Sequence, residues 1–489
     1  MSAPGVEQTV VKLILSHFPH TPTEGQREVC VAMSHFLFDS DARSAFLLRG
    51  YAGTGKTSLV SALIQTLPAL RVNCVLLAPT GRAAKVLSGY SGRPAYTIHK
   101  KIYMTATDAT GTLRTVRAAN KHAYTLFIVD EASMIGLEPG GTCHSLLEDL
   151  VDYVYDGNHC RLMLIGDSAQ LPPVGQSESP ALDARYLQAA FSLSVADGEL
   201  TEVVRQQQLS GILENATDLR GQIVSLAAGE EVQVPLFHSA PDVTRLAGQD
   251  LMETLFREYA GEAQEDVVIV TRSNKRANLF NQGIRNSVLF REGEVNAGDY
   301  LMVVKNNYYW LDDNSTIGFI ANGDIVEVLS VRNVQELYGF RFADATLRFV
   351  DYPNDQEEGM AEGGESCFVC DCKLLLSTLY SESPSLTAEE QQRLYAAVME
   401  DYADLPCKTD RLREMRQNPY YNALQVKFSY ALTCHKTQGG QWRTVIVDQG
   451  FLPPDMPLGR DWLRWLYTAF TRATDHLYLL NFEDRFWQS

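Results

Sequence analysis

The chain has 489 residues, of which 45% are hydrophobic and 21% charged, a composition typical of a globular protein with about two to four domains. No run of about 18 consecutive apolar residues occurs, which excludes a transmembrane helix. The formal charge of −18 argues against a nucleic-acid partner, but 15 acidic and 4 basic residues within 344–410 account for −11 of it, so a basic groove elsewhere remains compatible with the sequence.

The first predicted element is an amphipathic helix over Met1–Phe18. It lacks the long apolar region and the small-residue cleavage site of a signal peptide, so we interpret it as a packing helix. The nine cysteines are scattered through apolar segments. That usage is typical of a reducing compartment, and we expect a cytoplasmic protein.

The apolar run Ala45–Leu48 predicts a buried strand that leads into a phosphate-binding loop, because the next residues fit G-x-x-x-x-G-K-[ST] and open a helical pattern. Glycines let backbone N–H groups converge on phosphates. Lys56 can reach the β- and γ-phosphates, and the Thr57 hydroxyl can ligate Mg²⁺. The predicted nucleotide-binding residues of this loop are Gly50, Ala52, Gly53, Thr54, Gly55, Lys56, Thr57 and Ser58.

A second apolar run, Leu126–Val129, ends at two carboxylates, Asp130 and Glu131. Asp130 is suited to hold Mg²⁺ through water, and Glu131 is suited to accept a proton from an attacking water. The alternative is a pair of solvated acids after a strand. A GTPase switch would normally carry the guanine-reading NKxD motif, which the sequence lacks. The pair therefore predicts hydrolysis of Mg²⁺-bound ATP.

Besides the two segments above, the chain carries seven further motifs, which are Thr23–Gln26, Ala78–Ala84, Thr97–Lys100, Ile165–Val174, Val203–Gln206, Leu432–Gly440 and Tyr467–Ala473. Their order resembles that of the superfamily 1 DNA helicases of the branch that moves 5′→3′. RecD-like and Dda-like helicases are the most similar types, and the Pif family is a near relative. The resemblance covers about residues 20–345 and 420–482.

The resemblance implies an α/β fold with two RecA-like parallel-sheet domains and a small β-barrel inserted in the second. The expected division is 1–200, with a hairpin insertion at about 100–123, then 201–325, an acidic β-rich insertion at 326–425, and 426–489. We expect no appended nuclease or large N-terminal domain. Apolar runs predict further buried parallel strands at Cys74–Ala78, Leu162–Ile165, Val267–Val270, Thr444–Val447 and Leu477–Leu480.

The resemblance also implies roles around the nucleotide. Gln26 would read adenine, Gln170 would sense the γ-phosphate, and Gln438 and Gly439 would lie on the nucleotide side of their motif. Arg205 and Arg472 would act as arginine fingers, which neutralise charge growing on the γ-phosphoryl group. Surface ion pairs are the alternative for both arginines.

DNA contacts are implied at Pro79, Thr80, Arg82, His99, Thr433 and His435. The helical segment Asn274–Arg285 resembles a polar helix near the strand path, with Asn278, Asn281 and Arg285 on one face, although a solvated helix would look the same. Such motors hold single strands with stacking aromatics, for which the candidates are Tyr103, Tyr308 and Trp310.

Two regions match the family less closely. The strand-splitting hairpin would have its tip near Asp108–Gly111. In the acidic insertion, Thr387 and Glu390 predict a capping box that starts a helix to about residue 402. Cys367, Cys370 and Cys372 could bind zinc, but their alternation favours a strand. Because acidic surface repels phosphates, we expect most of this insertion to face away from the DNA groove, to guide the duplex weakly, or to dock a protein partner.

The sequence thus predicts an ATP-dependent 5′→3′ DNA helicase of repair, recombination or replication, acting as a monomer on single-stranded and forked duplex DNA. The alternative is a DNA-stimulated ATPase that remodels a partner without unwinding. A nucleotide switch is disfavoured by two arginine-finger motifs in one chain, and an RNA helicase stays open because 2′-hydroxyl recognition leaves no mark that this sequence reveals.

Overall fold

The computed structural model describes residues 4–107, 113–138, 144–204, 210–226, 234–261, 264–311, 319–353, 367–453 and 458–487. The predicted arginine finger Arg205 and the predicted hairpin tip Asp108–Gly111 lie outside these ranges. Among the helices of the described segments, none combines the length and the apolar composition that a bilayer crossing requires.

The first domain is built on a six-stranded parallel sheet of order β3-β2-β6-β7-β1-β8. Val10 and Ile14 of the first helix are buried against it, which confirms the predicted packing helix. An antiparallel hairpin, β4–β5, projects between α5 and β6. The elements are α1 (Pro4–Ser16), α2 (Glu24–Leu37), β1 (Ser44–Gly50), α3 (Lys56–Thr66), β2 (Asn73–Ala78), α4 (Gly81–Ser91), β3 (Ala95–Thr97), α5 (Ile98–Ile102), β4 (Tyr103–Thr107), β5 (Leu113–Arg117), β6 (Thr125–Val129), α6 (Leu146–Tyr155), β7 (Arg161–Gly166), α7 (Ala184–Phe191) and β8 (Ser194–Leu200).

The rest of the chain forms a second parallel sheet, of order β16-β10-β17-β18-β9, and a closed barrel of β11 to β15. The predicted fold of two parallel-sheet domains with a barrel in the second is confirmed. The elements are α8 (Gly211–Ser225), β9 (Val243–Leu246), α9 (Leu251–Tyr259), β10 (Val267–Thr271), α10 (Asn274–Gly283), β11 (Tyr300–Val303), β12 (Ile325–Leu337), β13 (Phe340–Pro353), β14 (Cys367–Leu375), α11 (Ala388–Glu400), α12 (Lys408–Gln417), β15 (Leu424–Phe428), β16 (Ala431–Thr433), α13 (Cys434–Thr437), β17 (Trp442–Asp448), α14 (Arg460–Phe470) and β18 (Ala473–Leu480).

The barrel extends beyond the predicted insertion at both ends, since its first strand begins at Tyr300 and its last ends at Phe428. Cys370 and Cys372 are buried in the apolar core on β14. Within the described ranges, no group of three or more His, Cys, Asp or Glu side chains is arranged to hold a metal ion. The predicted strand is confirmed, because Cys367–Leu375 forms β14.

Helices α11 and α12 form a small insert that packs on the barrel through a core of its own. Phe342 and Leu375 of the barrel meet Leu394 and Met415 of the helices in this core. The predicted capping box is confirmed, since the Thr387 hydroxyl accepts the Glu390 N–H and the Glu390 carboxylate accepts the Thr387 N–H. The part of the chain from α11 to α12 is therefore a folded helical pair on a barrel wall.

Candidate nucleotide and strand sites

Three polar turns meet because their strands are neighbours in the first sheet. The loops after β1, β6 and β7 all leave the carboxyl edge of that sheet, where ligands bind in open α/β folds. The phosphate loop follows β1, the acidic pair follows β6, and the segment Asp167–Gln170 follows β7. Strand order therefore assembles one site from segments more than 100 residues apart.

The phosphate loop has the backbone that its glycines permit. Gly53 and Gly55 lie in the left-handed region, with φ values of 74° and 80°, which a side chain would strain. The Lys56 ammonium donates to the carbonyls of Gly50 and Tyr51 within the loop. Lys56 also begins α3, so the loop ends at a helix N-terminus, where partial positive charge favours an anion.

The acidic pair is held in a constrained arrangement. Glu131 has a φ of 50°, a left-handed conformation that is uncommon without glycine and that clusters at active sites. Asp130 accepts the Tyr90 hydroxyl at 2.8 Å and the Glu131 N–H at 2.8 Å. Burial raises the pKa of both carboxyls, and for Glu131 the Arg472 guanidinium opposes the rise. A more basic Glu131 is a better proton acceptor.

The second domain supplies the opposite wall of this site. The cavity between the domains has a volume of about 590 Å³. Arg472 reaches it from the end of α14 and is held by the carbonyls of Thr468 and Gly440 at 3.1 and 3.2 Å. Of the predicted nucleotide-site residues, those that line the cavity are Ala52, Gly53, Gly55, Lys56, Thr57, Ser58, Asp130, Glu131, Gln170, Gly439 and Arg472.

The donor set fits a nucleoside triphosphate with Mg²⁺. The Oε1 atom of Gln170 is buried in the cavity wall without a hydrogen-bond partner, as expected of a side chain that awaits a ligand or its water. Thr57 and Asp130 present oxygen to the same cavity, and Mg²⁺ in phosphate sites is commonly held by one or two such oxygens together with phosphates. Thr57 and Asp130 would hold the metal, and Lys56 and Arg472 would face the phosphates.

Four of the described residues predicted for the nucleotide site do not line the cavity, namely Gln26, Gly50, Thr54 and Gln438. Gln26 is fully buried, its Nε2 donating to the Thr54 carbonyl at 3.0 Å and its Oε1 accepting the Thr23 N–H at 3.0 Å. Its amide therefore supports the phosphate loop from behind. Thr54 is also buried, with its hydroxyl on the Tyr51 carbonyl. A Cβ on Gly50 would meet Lys56 Cγ at 3.0 Å, so this glycine gives the lysine room.

Gln438 contacts the first domain and not the cavity. Its Nε2 donates to the Leu171 carbonyl at 2.8 Å, and the Leu171 N–H donates to the Thr468 hydroxyl at 2.9 Å. Both backbone polar groups of Leu171 in the first domain are thus bonded to side chains of the second. Because Leu171 follows Gln170 directly, these two bonds join the segment of Gln170 to the second domain.

Helix α14 makes further bonds to the same loop. The Tyr467 hydroxyl donates to Asp167 Oδ2 at 2.6 Å and accepts the Ala52 N–H at 2.9 Å. One turn earlier, the buried Arg464 donates to Glu178 at 2.6 Å. Helix positions three or four apart share a face. Arg464, Tyr467 and Thr468 therefore lie on one face of α14, and that face is hydrogen-bonded to the loop 167–178.

A second cleft, which we call the strand cleft, lies between the first domain and the barrel and has a volume of about 410 Å³. The predicted DNA contacts Pro79, Thr80 and His99 line it, as do the stacking candidates Tyr103 and Tyr308. Burial lowers the pKa of His99, so its ring is neutral at pH 7. The remaining lining residues are Gly81, Thr97, Val304, Lys305, Asn306, Ala321 and Asn322.

Other predicted DNA contacts lie elsewhere. Arg82 donates to the Gln441 carbonyl at 3.0 Å and stacks at 3.9 Å over the Trp442 ring, so it bridges the two domains. Asn278 donates to the carbonyls of Tyr380 and Ser381 at 3.1 and 3.0 Å. These two side chains are used within the fold, and their assignment to DNA stays a prediction without geometric support.

The motif that begins β16 and α13 is outside the strand cleft as well. Thr433 ends β16 beside Thr271, and His435 is exposed on α13. Burial lowers the pKa of the neighbouring Lys436 to about 8. Contact of Thr433 and His435 with DNA therefore remains a prediction.

The polar face assigned to α10 is internal. Asn281 bonds to the carbonyls of Phe428 and Ala431 and accepts the Ala431 N–H. Arg285 is 2% exposed and forms an ion pair with the buried Asp299 at 2.9 Å. Both join the second domain to the barrel, so neither alternative given for this helix, strand contact or solvated face, is correct for them.

Trp310 is likewise structural. Its indole N–H donates to the Asn422 carbonyl at 2.7 Å, and the ring packs on the main apolar core. Its assignment as a stacking residue stays a prediction without geometric support.

Sequence reasoning missed several residues of these sites. Tyr467 and Thr468 lie inside a motif that was quoted for its arginine, so the motif itself was the signal. Tyr90 and Lys305 carry no local sequence signal. Tyr90 belongs to the site through its bond to Asp130, and Lys305 lines the strand cleft together with first-domain residues far away in the sequence.

Comparison with known proteins supports this organisation. A family model described as AAA domain matches residues 23–232, and one described as UvrD-like helicase C-terminal domain matches residues 428–480. The chain is 30% identical over 316 residues to the ATP-dependent RecD2 DNA helicase of Deinococcus radiodurans, covering 62% of this chain and 40% of the relative. It is 24% identical to the ATP-dependent DNA helicase Pif1 of a Psychrobacter species, covering 80% and 60%.

Among solved structures, a Pif1 helicase from Bacteroides in complex with ADP-AlF3 and single-stranded DNA is similar, with 14% identity, 96% and 95% coverage and a TM-score of 0.46. The chain spans less than half of the RecD2 relative and 60% of the Pif1 relative.

Proposed function

We propose that the chain belongs to the Pif/RecD-like group of the superfamily 1 helicases and that it is an ATP-dependent DNA helicase, because the two matched family models and the helicase relatives favour that group. It would move 5′→3′ along single-stranded DNA and open the duplex ahead of it, in DNA repair, recombination or replication. The direction of movement rests on the family resemblance. The substrate is proposed from the strand cleft and from the DNA helicase activity of the relatives.

One observation carries the proposal. The loop 167–178 belongs to the nucleotide cavity through Gln170, and its backbone is bonded to the second domain through Thr468 and Gln438. A change at the nucleotide therefore alters how the two domains sit together. Since the strand cleft lies between the first domain and the barrel of the second, the same movement would shift the grip on the strand.

The chain's own residues divide the hydrolysis step between the domains. Mg-ATP, when bound, supplies the phosphoanhydride whose hydrolysis drives movement. Glu131 accepts a proton from the attacking water as the water oxygen bonds to the γ-phosphorus, while the bond from that phosphorus to the β,γ-bridging oxygen breaks and ADP leaves. Arg472 faces Glu131 from the second domain and neutralises the charge that develops. Arg205, outside the described ranges, is proposed as a second finger from the resemblance alone.

Duplexes with a single-stranded tail on either the 5′ or the 3′ side test the proposal. With Mg-ATP, we expect unwinding from the 5′ tail alone, and its loss in Lys56→Ala protein that still binds single-stranded DNA. Opening from the 3′ tail alone would refute the direction. DNA-stimulated hydrolysis without opening of either duplex would refute the helicase and favour an ATPase that remodels a partner.

The remaining features of the proposal are secondary. The cysteines identified as free within the described ranges are consistent with a reducing compartment such as the cytoplasm. We propose that one chain suffices for activity, because both walls of the nucleotide cavity come from the same chain. Sedimentation of the protein bound to a tailed duplex would measure this stoichiometry.

A further inference from the structure

A third cleft, which we call the insert cleft, continues the strand cleft toward helices α11 and α12. It has a volume of about 360 Å³. Lys305, Asn306 and Tyr308 line both clefts, so the two form one groove with a shared rim. The far wall of the insert cleft comes from Gln391 of α11, Arg416 of α12 and the following turn.

The charge along this groove is opposite in sign to the net charge of the chain. The chain carries −18 in total, and of the two insert helices α11 lies within the most acidic region, 344–410. Yet among the described residues that line either cleft there is no Asp or Glu, whereas Lys305 and Arg416 are present. No described carboxylate forms an ion pair with Arg416. Such a groove is the electrostatic track that a phosphate backbone requires.

Aromatic rings lie along the groove at intervals. Tyr308 stands at the shared rim, 61% exposed, with its ring stacked at 4.9 Å on Phe319. Tyr309 and Tyr421 line the insert cleft. Aromatic faces combined with basic side chains are typical of sites that bind successive bases of a single strand without sequence preference.

The insert cleft is also held rigid before any ligand arrives. The Asn422 carbonyl accepts the Asn307 amide at 2.8 Å and the Trp310 indole at 2.7 Å. The Tyr309 hydroxyl donates to the Gln417 carbonyl at 2.8 Å. These bonds tie the rim to the turn after α12, so little ordering cost remains when a ligand binds.

We propose that the insert cleft binds further nucleotides of the same single strand that lies in the strand cleft. The α11–α12 insert would thereby lengthen the strand path, with Arg416 on a phosphate and Tyr421 beside a base. This inference rests on the proposed function, because it needs a strand in the strand cleft. It would make the insert cleft an exception to the expectation that most of the acidic insertion faces away from DNA.

The test compares two oligodeoxythymidylates, of about 6 and about 16 nucleotides, by fluorescence anisotropy. The variant is Arg416→Gln. The matched control is Arg413→Gln, which removes the same charge from the same helix, at a side chain 70% exposed and close to Asp410 and Glu414. A second variant, Tyr421→Leu, removes the ring.

We expect Arg416→Gln to weaken binding of the long strand about fivefold or more and to leave the short strand unchanged. Its salt dependence for the long strand should fall by about 0.7 in log–log slope, the value of one phosphate contact on a single strand. Tyr421→Leu should cost the long strand about fivefold or more. Arg413→Gln should match the unmodified protein at both lengths.

Three results would overturn the inference or its premise separately. If Arg416→Gln and Arg413→Gln behave alike, the insert cleft holds no phosphate. If Arg416→Gln and Tyr421→Leu weaken binding of the short strand as much as binding of the long one, they act on the strand cleft and the proposed extension of the strand path is refuted. If the unmodified protein binds neither strand, the proposed function itself has failed.

Discussion

The Tyr467 hydroxyl is the contact on which domain closure should depend most directly. It joins Asp167 and the Ala52 N–H of the first domain to α14 of the second. Tyr467→Phe removes it and keeps the ring. Tyr467 and Asp167 are each 1% exposed, so the carboxylate loses one of its bonds where water cannot readily replace it.

A hydrogen bond to an ionised group contributes about 1.5–3 kcal/mol. Loss of that amount from the closed arrangement lowers its population about 10- to 150-fold relative to the open one. Because Arg472 reaches the cavity only from the second domain, we expect kcat for DNA-stimulated ATP hydrolysis to fall within the same range. Steady-state hydrolysis with saturating single-stranded DNA measures it.

Tyr478→Phe is the matched control. Its hydroxyl donates to Glu258 at 3.0 Å and accepts an Arg257 N–H at 3.0 Å, all within the second domain. This variant should lose about 1–2 kcal/mol of stability to urea and keep its kcat within about twofold. Unchanged hydrolysis in Tyr467→Phe, or an equal loss in both variants, would refute the reasoning.

Three further outcomes follow from the placement of buried polar groups. Gln26→Ala should weaken hydrolysis of ATP and GTP by the same factor, because the amide supports Thr54 of the phosphate loop; a changed ATP-to-GTP ratio would restore Gln26 as an adenine reader. Arg285→Met leaves Asp299 buried without its main cation and should cost about 3–5 kcal/mol in urea unfolding, while single-strand affinity of the folded protein stays unchanged. Burial lowers the pKa of Lys427 to about 8, below its unfolded value of about 10.4, so the unfolded state binds more protons between those pH values and stability rises with pH there. Lys427→Met should flatten that rise between about pH 8 and pH 10, and an unchanged slope would contradict it.

The elements that the sequence predicted best are those whose structure is local. The phosphate loop follows from glycines that permit left-handed backbone beside a strand and a helix start. Buried parallel strands follow from short apolar runs, and the α11 capping box follows from two side chains three residues apart. The acidic pair Asp130 and Glu131 was also predicted locally, because it follows the apolar run that forms β6.

Contacts between polar side chains and groups far away in the sequence became visible in the folded structure and could not be predicted from local patterns. Gln26, Arg82 and Arg285 have the chemistry of ligand contacts, yet each is bonded to protein groups far away in sequence. The grip of α14 on the loop 167–178 depends on how two sheets are docked.

The groove without lining carboxylates in a chain of net negative charge follows the same principle. Composition counts charges over a segment, whereas a ligand meets only the side chains that folding turns toward it. Local sequence patterns were therefore sufficient to predict the fold class and the residues of the phosphate-binding loop. Packing between distant segments determined which residues couple the domains and where a strand can lie.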